Sequence, residues 1–179
     1  MGYYVFVDNS NVWIEGKYAS AVKQGLAINM TDAHAKKVCD QGWKMDFGKL
    51  LDCVTGGNLG DVKEAIIIGS KPTEKDSLWN AMAAAGFKVK STQRNKSNKE
   101  KKIDTGIVQE INRKLYRESE EGDTFILVLG DSDYAPVIED ISAEKRKVNI
   151  AFWENAAGEI VVAADEFIKL NDHFDEISL

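Results

Sequence analysis

Residues 123–139 read DTFILVLGDSDYAPVIE, and the reading of this stretch decides the fold. Phe125, Ile126, Leu127, Val128 and Leu129 form an unbroken apolar run between Asp123-Thr124 and Gly130. That is the pattern of a strand buried on both faces, inside a parallel sheet. Gly130 permits a sharp turn, Asp131 and Asp133 flank the small Ser132, and the apolar spacing becomes helical from Tyr134 onward. Pro136 sits early in that helix, where a missing N–H costs little. Two carboxylates therefore stand on one strand-to-helix turn. In an open α/β sheet the crevice beyond the carboxyl ends of the strands is where ligands bind, so whatever else reaches that crevice defines the candidate site.

Working outward, residues 3–7 (YYVFV) form another short apolar, β-branched and aromatic run that ends on Asp8-Asn9-Ser10-Asn11. A helix follows from Val12, Trp13 and Ile14 to about residue 23, and the short polar residues before it suit capping. Residues 24–45 have no clear period beyond a short helix with Thr31 as its cap and read as an excursion. Over 46–54, Phe47, Leu50, Leu51 and Val54 share one helical face. A buried strand spans 62–69 through Ala65-Ile66-Ile67-Ile68, a helix covers 76–85 and ends at Gly86, and residues 87–89 form a short strand. From Asp104 to about residue 117, Ile107, Val108, Ile111 and Leu115 recur at helical spacing, and Asp104 lies on the same stripe one turn earlier. The central strand and its turn lead into a helix to about residue 143, then a fifth strand at 147–152. Residues 156–170 give a short helix and an apolar tail, and 171–179 a terminal helix or frayed end. Strands alternating with helices specify an α/β fold around a mostly parallel, five-stranded sheet with right-handed crossovers.

At 179 residues and 44% hydrophobic content, the chain suits one domain over 1–179. No apolar run approaches the roughly 18 residues needed to span a bilayer, and the amino terminus lacks a basic segment followed by an apolar one. A soluble, cytoplasmic protein with no membrane partner is expected. Cys39 and Cys53 show no metal-ligand spacing and read as reduced thiols, and with only His34 and His173 beside them zinc chemistry is not expected. The net charge of −6 argues against nucleic acid, but its distribution argues the other way. Residues 88–102 carry Lys88, Lys90, Arg94, Lys96, Lys99, Lys101 and Lys102 against Glu100 alone, a net +6 that leaves −12 on the remainder. Such a segment is either a solvated loop or a mobile arm that neutralises phosphates.

Asp8 ends one strand, Asp131 and Asp133 follow another, and Asp104 opens a helix. If the two strands are neighbours, the four acids converge. Gathered carboxylates destabilise a fold unless a cation or proton compensates, and hard oxygen ligands select Mg²⁺ or Mn²⁺ over zinc. Each acid also has a local reading: Asp8 and Asp104 as helix caps, Asp131-Ser132-Asp133 as an ordinary turn. No glycine-rich phosphate loop, nucleophile elbow or Cys–His pairing emerges.

Val7-Asp8-Asn9-Ser10-Asn11-Val12, Lys102-Ile103-Asp104-Thr105-Gly106-Ile107 and Leu129-Gly130-Asp131-Ser132-Asp133-Tyr134-Ala135-Pro136 together resemble the three signatures of the NYN domain, within the PIN-like nuclease superfamily. Ala163-Ala164-Asp165-Glu166-Phe167-Ile168 is similar to the family's closing segment, which extends the resemblance over about residues 3–170. The resemblance implies a three-layer domain with sheet order 3-2-1-4-5 and metal-dependent ribonuclease chemistry. It implies Asp8, Asp104, Asp131 and Asp133 as the metal-binding catalytic acids, and Asn11 as a polar partner for metal or phosphate. Ser10 and Ser132 beside the acids, with Lys96, Lys99, Lys101 and Lys102, complete the candidate substrate-binding set.

The leading expectation is a Mg²⁺- or Mn²⁺-dependent ribonuclease, with RNA as partner and a second copy or another protein left open. An RNA-binding or regulatory module that keeps the acids without cleaving is the alternative. A third reading is a metal-dependent adhesion module, because Asp8-Asn9-Ser10-Asn11 resembles a D-x-S-x-S site; the last serine is absent here.

Overall fold

Six strands, β1 (Tyr3–Asp8), β2 (Val62–Ser70), β3 (Lys88–Thr92), β4 (Thr124–Val128), β5 (Lys147–Phe152) and β6 (Glu166–Lys169), make one sheet in the order β3-β2-β1-β4-β5-β6 in the computed structural model. Every neighbouring pair is parallel. The structure describes residues 1–70, 76–92 and 101–179, with side chains over 1–69, 77–90 and 105–179. The inner order matches the expected one, and the sixth strand corrects the count of five. Residues 166–169, which overlap the apolar tail expected at 167–170, pair with β5 from Asn149↔Glu166 to Phe152↔Lys169. A half-buried edge strand of four residues gives no alternating signal long enough to read. Asp165 sets its register, its Oδ2 accepting the Val148 N–H at 2.8 Å and its own N–H reaching the Val148 carbonyl at 2.8 Å.

Successive strand residues point to opposite faces, and both faces are covered. Val5, Val7, Ala65, Ile67, Ile126, Val128 and Ala151 enter one core; Tyr4, Phe6, Ile66, Ile68, Phe125, Leu127, Val148 and Ile150 enter the other. The first core is filled by α1 (Asn9–Lys23), α2 (Met30–Lys36), α3 (Phe47–Val54), α4 (Asp76–Ala84) and the carboxyl-terminal α8 (Phe174–Ile177). The second is filled by α5 (Lys101–Arg117), α6 (Ala135–Ala143) and α7 (Gly158–Ala163). A buried β4, all five residues of it, follows from this double cover. Among the described residues no helix is long and apolar enough to cross a membrane.

The excursion at 24–45 serves the first core. Its helix α2 is capped by Asn29, whose Oδ1 accepts the Asp32 N–H at 2.8 Å, rather than by Thr31. The chain then delivers Trp43, whose ring centroid lies 5.9 Å from Trp13, 5.8 Å from Trp153 and 5.9 Å from Phe174. A Cβ on Gly16 would stand 2.2 Å from Trp43 Cζ3, which explains a glycine in the middle of α1. The carboxyl terminus is not frayed: Ile177 is fully buried, Asp46 N–H bonds to the Ile177 carbonyl at 2.9 Å, and Leu179 N–H bonds to the Lys44 carbonyl at 3.0 Å. Cys39 and Cys53 are both free thiols, as expected.

The basic segment divides. Lys88 and Lys90 belong to β3 and are ion-paired, Lys88 with Glu64 and Lys90 with Glu110. Both are therefore structural, which corrects an arm beginning at residue 88. Arg94, Lys96 and Lys99 lie outside the described residues, as do the side chains of Lys101 and Lys102 at the start of α5.

Candidate active site

β1 and β4 lie side by side with Val7 opposite Val128, so Asp8 comes level with Leu129 and the Gly130-Asp131 turn rises beside it. The chain runs outward from β1 to β3 on one side and from β4 to β6 on the other. Asp8 and Asp131 thus meet at the topological switch point, where open parallel sheets bind their ligands.

Asp8 is 3% exposed and caps α1, its Oδ1 accepting the Asn11 N–H at 3.1 Å. The helix begins at Asn9, earlier than the apolar periodicity indicates, so Asn9, Ser10 and Asn11 form its first turn. The other Asp8 oxygen accepts the Tyr134 hydroxyl at 3.0 Å. Asn11 then reaches across the crevice: Nδ2 donates to Asp131 Oδ2 at 3.0 Å, and Oδ1 accepts the Gly130 N–H at 3.0 Å. Tyr134, Asp8, Asn11, Asp131 and Gly130 are one hydrogen-bonded series. Asp8 proves to be a cap as well as a crevice acid. Asp131 precedes the 3₁₀ turn Ser132–Tyr134, but its carboxylate makes no capping bond to that turn. Its orientation is set by α1 instead.

Gly130 corrects an expectation about its own role. It is absent from the residues with positive φ, so no conformational freedom is used there. A Cβ at this position would lie 2.0 Å from Phe152 Cε1; the glycine is needed for close approach. Ser132 and Asp133 are exposed on the turn, Ser10 is half-buried, and Asp133 accepts no hydrogen bond from a described residue. Asn9 is buried beside Asp8, and its Oδ1 has no hydrogen-bond partner.

α5 begins at Lys101, so Asp104 falls within its first turn instead of opening it. The helix packs Ile107, Ile111 and Leu115 into the second core, and the Tyr4 hydroxyl donates to the Glu118 carbonyl beyond its far end at 3.2 Å. From Glu118 back to Asp104 the helical rise is about 21 Å, against about 13 Å for β1 from Tyr4 to Asp8. The backbone at Asp104 consequently reaches the carboxyl edge of the sheet. Its side chain lies outside the described set, as do those of Lys96, Lys99, Lys101 and Lys102.

Tyr134, where the helical spacing begins in the sequence, is a candidate-site residue absent from the expected set; its signal is an aromatic hydroxyl directly after an Asp-Ser-Asp turn. The residue packs, being fully buried, and its hydroxyl holds Asp8 as well.

The domain is of the nuclease-like, PIN-like α/β class, as its family shows. The chain belongs to the NYN domain family, whose model matches residues 4–171. The solved structure of a Vibrio parahaemolyticus protein of unknown function aligns with TM-score 0.69 and 17% identity, covering 99% of this chain and 96% of that one. At that identity the likeness carries the fold alone. No curated protein sequence matches the chain.

Proposed function

We propose that this NYN domain is a metal-dependent ribonuclease, hydrolysing RNA phosphodiesters at Asp8, Asp104, Asp131 and Asp133. The observation that carries the reading is the pair of strand-end acids, Asp8 and Asp131, brought to one crevice and held there through Asn11 at 3.1 and 3.0 Å. The four side chains offer carboxylate oxygens alone, and two of them, Asp8 and Asp131, are fastened to one crevice. Such a set fits Mg²⁺ or Mn²⁺, held by Asp8 and Asp131 with Asp133 and Asp104 joining from the turn and α5. A bound dication would neutralise phosphate charge, lower the pKa of water and stabilise the leaving oxygen.

The chain's own groups have separable duties. Tyr134 and the Asn11 N–H fix the Asp8 carboxylate; the Asn11 side chain fixes Asp131. The amino end of α1, fifteen residues long, faces the crevice with the positive end of its dipole and favours a phosphate there. Asp133, exposed and accepting no hydrogen bond from a described residue, takes the proton of the attacking water at a carboxylate oxygen. Ser10, Ser132, Lys96, Lys99, Lys101 and Lys102 contact the RNA backbone, which gives affinity without sequence readout.

One observation favours a second reading, an RNA-binding module that does not cleave. Both Asp8 oxygens and Asp131 Oδ2 already accept hydrogen bonds from the chain; the same network also serves stability alone. Incubation of the protein with end-labelled single-stranded RNA or DNA, in Mn²⁺, Mg²⁺ or chelator, separates the two. Metal-dependent RNA cleavage that Asp131→Asn abolishes is the expected result. RNA retention with no cleavage in either metal establishes the second reading.

A further inference from the structure

At the opposite edge of the sheet, Cys53, His173 and Glu176 bring a sulfur, a ring nitrogen and a carboxylate oxygen within 4.8 Å of one another. Cys53 lies near the carboxyl end of α3, which leads through residues 55–61 into the start of β2. This cluster therefore lies by the amino ends of the strands, far from Asp8 and Asp131. The geometry points to a zinc-binding site here, with Cys53, His173 and Glu176 as three protein ligands and a fourth position open to solvent.

Four observations carry this assignment. The donors are a thiol, an imidazole and a carboxylate, the set that zinc takes with bonds of about 2.0–2.3 Å and that Mg²⁺ does not select. Cys53 comes from α3, Glu176 from α8 and His173 from the 3₁₀ turn Leu170–His173 that leads into α8, and the structure already holds them together, because α8 is tied to the residue preceding α3 by the Asp46 N–H to Ile177 carbonyl bond at 2.9 Å. His173 and Glu176 already approach each other, Nδ1 to Oε2 at 3.0 Å, whereas an ion pair of those two alone needs no cysteine beside it. Finally, Cys53 and His173 line an open cavity of about 470 Å³ with Asp172, Asn58 and Lys169, which supplies an entry path and room for a water. Burial, with Glu176 and Asp52 nearby, pushes the Cys53 thiol up to about 11. Binding replaces the S–H bond by an S–Zn bond and releases the proton to solvent.

Bound there, zinc would clip the carboxyl-terminal segment to α3 and stabilise the aromatic cluster that Phe174 joins through Trp43 and Trp153. The site is independent of the nuclease reading.

Cobalt substitution tests it, because a thiolate-to-cobalt charge-transfer band reports sulfur ligation and is silent for an all-oxygen site. Chelator-treated full-length protein should develop the band on Co²⁺ addition and lose it when Zn²⁺ displaces the cobalt. Cys53→Ser should abolish the band and His173→Ala should weaken it, while Cys39→Ser leaves it unchanged. Zn²⁺ should raise the melting temperature of wild type and not that of Cys53→Ser. His173 is partly exposed, so its variant reports even if Cys53→Ser fails to fold. No band in wild type, or a band that survives Cys53→Ser, overturns the site; RNA cleavage is not part of the readout.

Discussion

Asn11 holds Asp131 across 120 residues of sequence, its side-chain amide nitrogen 3.0 Å from the carboxylate oxygen. The same side chain accepts from Gly130 at 3.0 Å, so the first turn of α1 and the turn after β4 are fastened by one residue. Asn11→Ala removes both bonds and leaves the Gly130 N–H to water. We expect a loss of about 1–2 kcal/mol in stability and a drop in metal-dependent cleavage larger than the stability change explains, because Asp131 loses its orientation. Melting curves and cleavage rates measured on one preparation check this. Unchanged cleavage at reduced stability would show that Asn11 is only a fastener.

Asp8 combines a cap with a crevice acid, and two substitutions separate the roles. Asp8→Asn keeps an oxygen for the Asn11 N–H, and the Tyr134 hydroxyl can reverse its hydrogen bond, so stability should change by less than about 1 kcal/mol. Asp8→Ala removes the cap and the carboxylate acceptor of the Tyr134 hydroxyl, at a cost of about 2 kcal/mol. Both should abolish cleavage. Denaturant titration of the two variants beside an RNA cleavage assay decides it, and an active Asp8→Asn protein removes Asp8 from the metal site.

The parts of this molecule that were legible in sequence are those with a long, single-valued pattern. The run Phe125 to Leu129 is apolar at every position and suited a strand covered on both faces better than a half-exposed one, and Ile107, Ile111 and Leu115 marked the buried stripe of α5. β6 was not legible, because four half-buried residues at an edge are held by backbone pairing and Asp165 instead of by a hydrophobic repeat. Lys88 and Lys90 looked like part of a basic arm because charge composition does not reveal which acids stand opposite. Glu64 and Glu110 are distant in sequence and adjacent through β2 and α5. In the candidate site, strand ends exposed Asp8 and Asp131 directly. The resemblance marked Asn11 as a polar partner for metal or phosphate, while Tyr134 was visible only as a residue type until the register of β1 against β4 set it across from Asp8.

Gly130 is a steric requirement that Phe152 imposes. With the added Cβ only 2.0 Å from Phe152 Cε1, Gly130→Ala must displace a buried ring or the turn that carries Asp131, a cost of about 2–3 kcal/mol. Phe152→Leu alone should destabilise through lost packing, yet the double variant should be more stable than the sum of the two single effects, since the smaller side chain vacates the clash. Urea titration of the four proteins measures this coupling. Additive effects would locate the Gly130 requirement elsewhere.

Acid sensitivity should trace to Asp123, at the amino edge of the sheet. It is 0% exposed; its Oδ1 accepts the Gly2 N–H at 2.8 Å, and its Oδ2 accepts Lys63 Nζ at 2.8 Å and the Glu120 N–H at 2.9 Å. Burial alone would raise this carboxyl, but the Glu120 amide, Lys63 and the Gly2 amide outweigh it and hold Asp123 below the ordinary carboxylate value. A depressed folded-state value means that the ionised group stabilises the fold above the unfolded value of about 3.9 and that this stabilisation is lost as pH falls further. Lys63 is shifted upward, chiefly by its hydrogen bond to Asp123, so its contribution is complete throughout the acid range and adds no slope there. Asp123→Asn should therefore cost about 2 kcal/mol at pH 7, where the variant loses the charge that Lys63 and two amides serve. The deficit should shrink on going to about pH 3, because the unfolded wild type then takes up a proton on Asp123 that the folded protein resists. Urea midpoints of both proteins across that range provide the measurement. A deficit that stays constant between neutral and acid pH would assign the acid transition to other carboxylates, of which Glu64, paired with Lys88 and Lys114, is the nearest rival.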